Sequence, residues 1–343
     1  MAIPPSPTKP TVIGAGIKKI ITQEEMLAGL TSLPTLVETK ELDVEHVILY
    51  GGPGTGKTLL AGLLSEFFHI LWFDADKGLR TLYNVLPPEL LKRIVPVRVV
   101  DNPAYPFFVT TMLKAVSGRQ LDICHQHGVV DCAACRIAKA SSFQVALNKL
   151  PRNWIAVMDS VTQWRASAIC QISIKQFGQT EDADMKVDES KFGFDEWAML
   201  MNRVDKFGSY MKDLDCNFVA ISHESLAENE DKTKKIVPVA GSDNSNRSFA
   251  KFFGTEVLAT IMNNKHVYAT GTTFSSGTQT KSRANVALEK KQVPSLLHVF
   301  RPEEAEELLK GSFNEYYFTE GFKPKEVRDP KKVPPTPKGI LQI

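Results

Sequence analysis

No apolar run in this 343-residue sequence approaches the ~18 residues of a membrane-spanning helix, and the proline-rich amino terminus has no signal-peptide core. A cytoplasmic protein with no membrane partner is therefore expected. An excess of one charge is also missing: 41 Lys and Arg stand against 39 Asp and Glu, a net of +2. That balance excludes a surface that is basic all over, so any nucleic-acid contact would have to be local. Cysteines are few, five in all, an odd number. Three of them cluster in one short segment, which argues against a disulfide framework and for metal binding in a reducing compartment.

Hydrophobic residues make up 43% of the chain, enough for a globular core, and the length suits one large α/β domain with insertions or two modest ones. Residues 1–21 read as a Pro-rich arm, 22–320 as the folded domain and 321–343 as a flexible Lys- and Pro-rich tail. Lysines 323, 325, 331 and 332 of that tail could add nonspecific affinity or dock a partner. Apolar runs at 47–50, 70–75, 95–100, 154–159 and 217–222 predict buried strands. Helical periods lie between them. The clearest is the stripe Trp197, Leu200, Met201, Val204, Phe207, Met211 and Leu214, which predicts a core-facing helix. Apolar strands alternating with helices predict an α/β fold with a mostly parallel, doubly wound sheet that binds ligands at the carboxyl ends of its strands. Later runs at 257–262, 267–270 and 296–300 predict antiparallel strands late in the chain.

Residues 51–58 read Gly51-Gly52-Pro53-Gly54-Thr55-Gly56-Lys57-Thr58, a complete G-x-x-x-x-G-K-[ST] phosphate loop between a predicted strand and a predicted helix. Its glycines allow backbone N–H groups to turn inward around an anion, and the helix that follows, through Leu59, adds its positive dipole end. Lys57 reaches the outer phosphates and Thr58 offers a hydroxyl to Mg²⁺. ATP and Mg²⁺ are thus the expected ligands. Asp159 ends an apolar strand about a hundred residues downstream, the Walker B position, where a carboxylate can hold Mg²⁺ through water; Ser160 follows it.

The pair Asp74 and Asp76 at the end of the run 70–76 resembles the RecA strand that ends Asp-Ala-Glu, and Val157-Met158-Asp159-Ser160-Val161 resembles the RecA Walker B strand. By that resemblance Asp76 is the catalytic carboxylate that positions water, with Asp74 as the alternative. Phe218-Val219-Ala220-Ile221-Ser222-His223 looks like the strand whose terminal residue, here His223, senses the γ-phosphate. Lys281-Ser282-Arg283 resembles the Lys-x-Arg finger that reaches into a neighbouring subunit's nucleotide. Over about residues 45–290 the chain therefore resembles the RecA-like P-loop ATPases of phage and bacterial recombination, particularly the short recombinase paralogues found beside single-strand annealing proteins. The resemblance implies a DNA-stimulated ATPase in DNA recombination, repair or annealing. Its implied partners are single-stranded DNA, further copies of itself in a ring or filament, and an annealing or single-strand-binding protein. The phosphate loop itself looks more like that of AAA+ proteins, which keeps open an alternative as a remodeller or helicase loader with a protein client.

Residues 119–140 form an expected insertion. Cys124-His125-Gln126-His127-Gly128 is followed by Cys132-Ala133-Ala134-Cys135, and four residues separate His127 from Cys132. Three thiolates and one imidazole suit a closed, tetrahedral structural Zn²⁺ site, a zinc knuckle, with His127 favoured over His125 by spacing. Cys170 and Cys216 fall outside the cluster and read as buried thiols. For DNA, the segment 178–192 is acidic and a poor phosphate partner. The segment 225–247, expected as a loop, carries Lys232, Lys234, Lys235 and Arg247, the candidate backbone contacts.

Overall fold

The computed structural model describes residues 44–320 apart from 100, 102–105, 179–186, 188, 229–231, 233, 272–276 and 279. The expected arm and tail, with the tail lysines, lie outside the described residues, as does most of the acidic segment 178–192. Twelve strands are described: β1 (His46–Tyr50), β2 (His69–Asp74), β3 (Ile94–Arg98), β4 (Leu121–Cys124), β5 (Ser142–Val145), β6 (Trp154–Asp159), β7 (Asn217–Ser222), β8 (Glu224–Glu228), β9 (Lys234–Pro238), β10 (Thr255–Met262), β11 (Lys265–Ala269) and β12 (Lys281–Ser282). The main sheet runs β11-β10-β1-β7-β6-β2-β3, with β12 also on β10. From β10 to β3 every neighbouring pair is parallel, while β11 and β12 join β10 antiparallel. The mostly parallel sheet with late antiparallel strands is thus present.

Helices that matter to the site are α1 (Lys57–Gly62), α2 (Phe108–Val116), α3 (Val161–Phe177), α4 (Phe194–Lys212), α5 (Asp243–Phe249) and α6 (Phe313–Glu320). The strands are apolar on both faces because helices cover both. Ile48, Phe73, Met158 and Phe218 point into one core with Met112, Trp164 and Phe207 from α2, α3 and α4. Their sequence neighbours Val47, Trp72, Val157 and Val219 point into the other, with Leu60 of α1 and Phe313 of α6. Period-two alternation thus divides each strand between two cores.

Helix α3 starts where Ser160 caps it, its Oγ accepting from the Gln163 N–H at 3.1 Å, and stops at Gly178, whose φ of 80° suits a glycine cap. In α4 the expected stripe holds for Leu200, Val204, Phe207 and Met211, but Met201 is 42% exposed. It sits one residue off the buried face, where a 3.6-residue period turns it to the rim. The run at 296–300 is not a strand. Leu297–Phe300 is a short helix, started by the Leu297 N–H donating to Ser295 Oγ at 3.2 Å, and it buries Leu297 and Val299 against the core that holds α1. Four apolar residues fit either structure, and here helix packing decided. The segment 225–247 is not a plain loop either, since β8 and β9 pair antiparallel as a hairpin. Among the described residues no helix is long and apolar enough to cross a membrane.

Candidate nucleotide site and metal centre

Parallel pairing in the order β1-β7-β6-β2 lines up four carboxyl ends. They carry the phosphate loop, His223, Asp159, and the Asp74–Asp76 turn. At Gly51 an added Cβ would lie 2.0 Å from the Ala259 carbonyl oxygen, so only glycine fits there. Gly56 caps α1 at φ 87°, and a Cβ there would meet Tyr268 Oη at 2.5 Å. Lys57 is 8% exposed and folds back to donate to the Gly51 and Gly52 carbonyls at 2.8 and 2.7 Å. Burial lowers its pKa, and the carboxylates of Asp159, Glu224 and Asp76 oppose that shift.

Asp159 is 3% exposed and accepts from Thr58 Oγ1 at 3.3 Å. Burial, then the charges of Asp76 and Asp74, push its pKa up to about 7. A carboxylate held under such repulsion favours a cation, and beside the Thr58 hydroxyl the donor set is oxygen-only, which suits Mg²⁺. Asp74 and Asp76 play different parts. Asp74 turns back to accept from the Gly78 N–H at 2.9 Å, closing the turn after β2. Asp76 instead takes a 2.5 Å hydrogen bond from Ser160 Oγ. All line, or adjoin, a cleft of about 410 Å³ bounded by Pro53 to Leu59, Asp76, Asp159, Ser160 and His223. His223 is held by its backbone N–H, which donates to Thr162 Oγ1 at 2.9 Å, and burial lowers its pKa.

Lys281 and Arg283 lie elsewhere. In the sheet, Glu256 pairs with Lys281 and also with Ile48 of β1, and the Arg283 N–H donates to the Gly254 carbonyl. This is the amino end of the parallel strands, opposite the phosphate loop. Lys281 Nζ there is 3.0 Å from Glu256 Oε1 and donates to the Ala250 carbonyl at 2.7 Å. Neither cation can reach the nucleotide cleft of its own chain. Lys234 and Lys235 are on β9, and Lys232 is exposed just before it. Arg247, on α5, is bound within the chain to the Glu228 carbonyl and Asn244 Oδ1. Three residues near the cleft escaped sequence reasoning: Glu224, close to Gly52, and His266 and Tyr317, both lining the cleft. No local motif marks them, since each arrives on an element far along the chain.

Cys124, His127, Cys132 and Cys135 converge, their ligand atoms all within 4.8 Å of one another. The sulfurs lie 3.8, 3.6 and 3.2 Å from His127 Nδ1. A tetrahedron with Zn–S of about 2.3 Å and Zn–N of about 2.0 Å has S···N edges of about 3.5 Å. The four donors therefore fit such an ion. His125 turns away and packs on Phe143, ring centroids 5.0 Å apart, so His127 is the histidine that joins the three cysteines. Although burial opposes ionisation of Cys124, backbone N–H donors from Val129 and His127 bring it down to about 6. Burial, then the neighbouring thiols, push Cys135 up. The cluster is tied to the sheet edge: Arg98 of β3 donates its N–H to Gly128 O at 2.7 Å, and the Val130 N–H returns to Arg98 O at 3.2 Å.

A strand, glycine loop and helix whose Thr58 donates to the buried Asp159, at the carboxyl ends of a mostly parallel sheet, define a P-loop nucleotide-binding protein. More particularly, the chain belongs to the AAA domain family, whose model matches residues 45–284. Among solved structures it is similar to the crystal structure of the RadB recombinase, at 15% identity and a TM-score of 0.36, covering 66% of this chain and 79% of that one. No curated protein matches significantly.

Proposed function

We propose that the chain is a Mg²⁺-dependent ATPase with a RecA-like core that acts on single-stranded DNA in recombination, repair or annealing. The observation that carries this is one cleft in which the phosphate loop meets Asp159 and an Asp76 oriented by Ser160. Lys57 would exchange its two loop carbonyls for phosphate oxygens. Asp76 stands free of the turn that occupies Asp74, so it is the carboxylate to position water for in-line attack. Thr58 and Asp159 would hold Mg²⁺, which supplies neutralisation of phosphate charge. His223 reports the γ-phosphate. Lys281 and Arg283 face away from their own cleft, so their catalytic use is in a neighbouring copy, as in an oligomeric ring or filament. Zn²⁺ at the Cys3His cluster would order the insertion, and such binding is worth about 10 to 16 kcal/mol in small metal-folded units.

Support for DNA comes from the β8–β9 hairpin, whose first strand begins at Glu224, next to His223, and whose second strand opens with Lys234 and Lys235, just after Lys232. A nucleotide-dependent shift at His223 would be transmitted directly to those lysines. The AAA-domain match also suits the second reading, a remodeller or helicase loader acting on a protein client. Steady-state ATP hydrolysis with and without single-stranded DNA separates the two. Several-fold stimulation is expected, and turnover indifferent to DNA would favour the protein client.

A further inference from the structure

The nucleotide cleft has two chemically distinct ends. Asp76, Asp159, Ser222 and His223 crowd one, around the Lys57 ammonium. At the other, Gly56 opens α1, and His266 and Tyr317 complete the wall. Phosphates held by the loop with the terminal one toward Asp76 leave the nucleoside to run out past Gly56 and Leu59. The group it meets there is aromatic.

Tyr317 comes from α6, beyond the residue-284 limit of the family match. Its placement is firmly built. Glu66, 5% exposed at the end of the helical segment that continues α1, accepts from the backbone N–H groups of Phe313 and Asn314 at 2.7 and 3.0 Å, and from Asn314 Nδ2 at 2.8 Å. The phosphate-loop segment thereby caps the start of α6. A second tie runs through rings: Tyr317 packs edge-on to Phe318 (5.2 Å), Phe318 edge-on to Tyr268 (6.2 Å), and Tyr268 Oη donates to the Gly56 carbonyl at 3.3 Å. One aromatic chain thus links the glycine that caps α1 to the ring at the nucleoside end. Tyr317 is half-buried, its ring part of the cleft wall and backed by protein.

We infer that Tyr317 is the stacking face of a nucleobase slot, with His266 at its rim, and that this C-terminal helix sets the chain's preference for a purine nucleoside triphosphate over a bare polyphosphate. The inference rests on the ATP-binding reading of the cleft. A flat ring backed by packed protein offers a base π-contact without ordering a loop, and purines present the larger face. Tyr317 is a binding and specificity residue; it has no part in moving the phosphoryl group.

The test is equilibrium binding, with Mg²⁺, of ATP, CTP and inorganic tripolyphosphate to the full chain and to its Tyr317→Ala, Tyr317→Phe and Lys57→Ala variants. Stacking losses on removal of a ring correspond to roughly tenfold in affinity. Tyr317→Ala should weaken ATP by about that factor and leave tripolyphosphate unchanged, while Tyr317→Phe stays close to wild type. Wild type should bind ATP more tightly than CTP, and both more tightly than tripolyphosphate, an order that needs no variant to fold. Equal weakening of ATP and tripolyphosphate by Tyr317→Ala would make the ring merely structural and overturn the inference. So would unchanged ATP affinity, or a wild type that binds ATP no better than tripolyphosphate. Failure of the underlying reading looks different: wild type then binds neither ligand, or Lys57→Ala binds ATP as well as wild type does.

Discussion

Glu66 joins two parts of the chain that are far apart in sequence. Its carboxylate is buried and accepts three hydrogen bonds from Phe313 and Asn314, two of them from backbone N–H groups. Replacing it by Ala removes a charged acceptor, whose individual hydrogen bonds are worth about 1.5–3 kcal/mol, and leaves buried donors that each cost about 1–3 kcal/mol. Because the three share one residue they do not add, and we expect a net loss of about 3–5 kcal/mol. For a domain of this size that corresponds to a fall in Tm of roughly 6–20 °C. Glu66→Gln keeps one oxygen acceptor in the same volume and should cost less than half as much. Thermal and urea unfolding of the three proteins, followed by circular dichroism, measure this directly. A loss below about 1 kcal/mol for Glu66→Ala would refute the argument that this carboxylate anchors α6 to the phosphate-loop segment.

Asp76→Asn should lower ATP turnover by at least about 100-fold with little change in folding, whereas Asp74→Asn, which weakens the turn at Gly78, should act mainly on stability. Lys57→Ala and Arg283→Ala chains should each be inactive alone and regain turnover when mixed, if the finger works on a neighbour's nucleotide; a mixture that stays inactive contradicts this. Metal analysis of the purified chain should find one Zn²⁺ per copy, lost in Cys132→Ser together with protection of the insertion from protease. In chelator and without nucleotide, stability should fall as pH rises from about 4 to 7. In that window the native state holds a proton on Asp159 that the unfolded chain has released, and Asp159→Asn should flatten the slope.

The parallel strands and the two-sided core were legible because buried parallel strands are written as continuous apolar runs, and helix α4 as a 3.6-residue stripe, whereas the order of the strands in the sheet came only from their pairing. The Cys3His cluster was legible from spacing, since Cys124 and His127 span one turn after β4 and Cys132 and Cys135 span the first turn of the short helix Ala133–Ile137. The short run at 296–300 was not, because four apolar residues satisfy a strand or one helical turn equally, and only the packing of Leu297 and Val299 decides. Asp74 ends β2 and Asp76 follows it two residues later, so sequence position alone does not tell their parts apart. What separates them is the turn to Gly78 and the Ser160 hydroxyl, which is contributed 84 residues later. Glu224, His266 and Tyr317 reach the cleft through hairpin, sheet-edge and C-terminal packing, which no local pattern encodes. Lys281 and Arg283 could be spotted as a triplet, but their place at the far end of the strands follows only from the antiparallel register of β12 on β10.

Magnesium-dependent ATP hydrolysis by the purified chain, with Lys57→Ala as the blank, tests the central claim most directly. The account predicts turnover that requires Mg²⁺ and disappears in Lys57→Ala. Turnover that persists in Lys57→Ala, or its absence from the wild-type chain with and without single-stranded DNA, would contradict it.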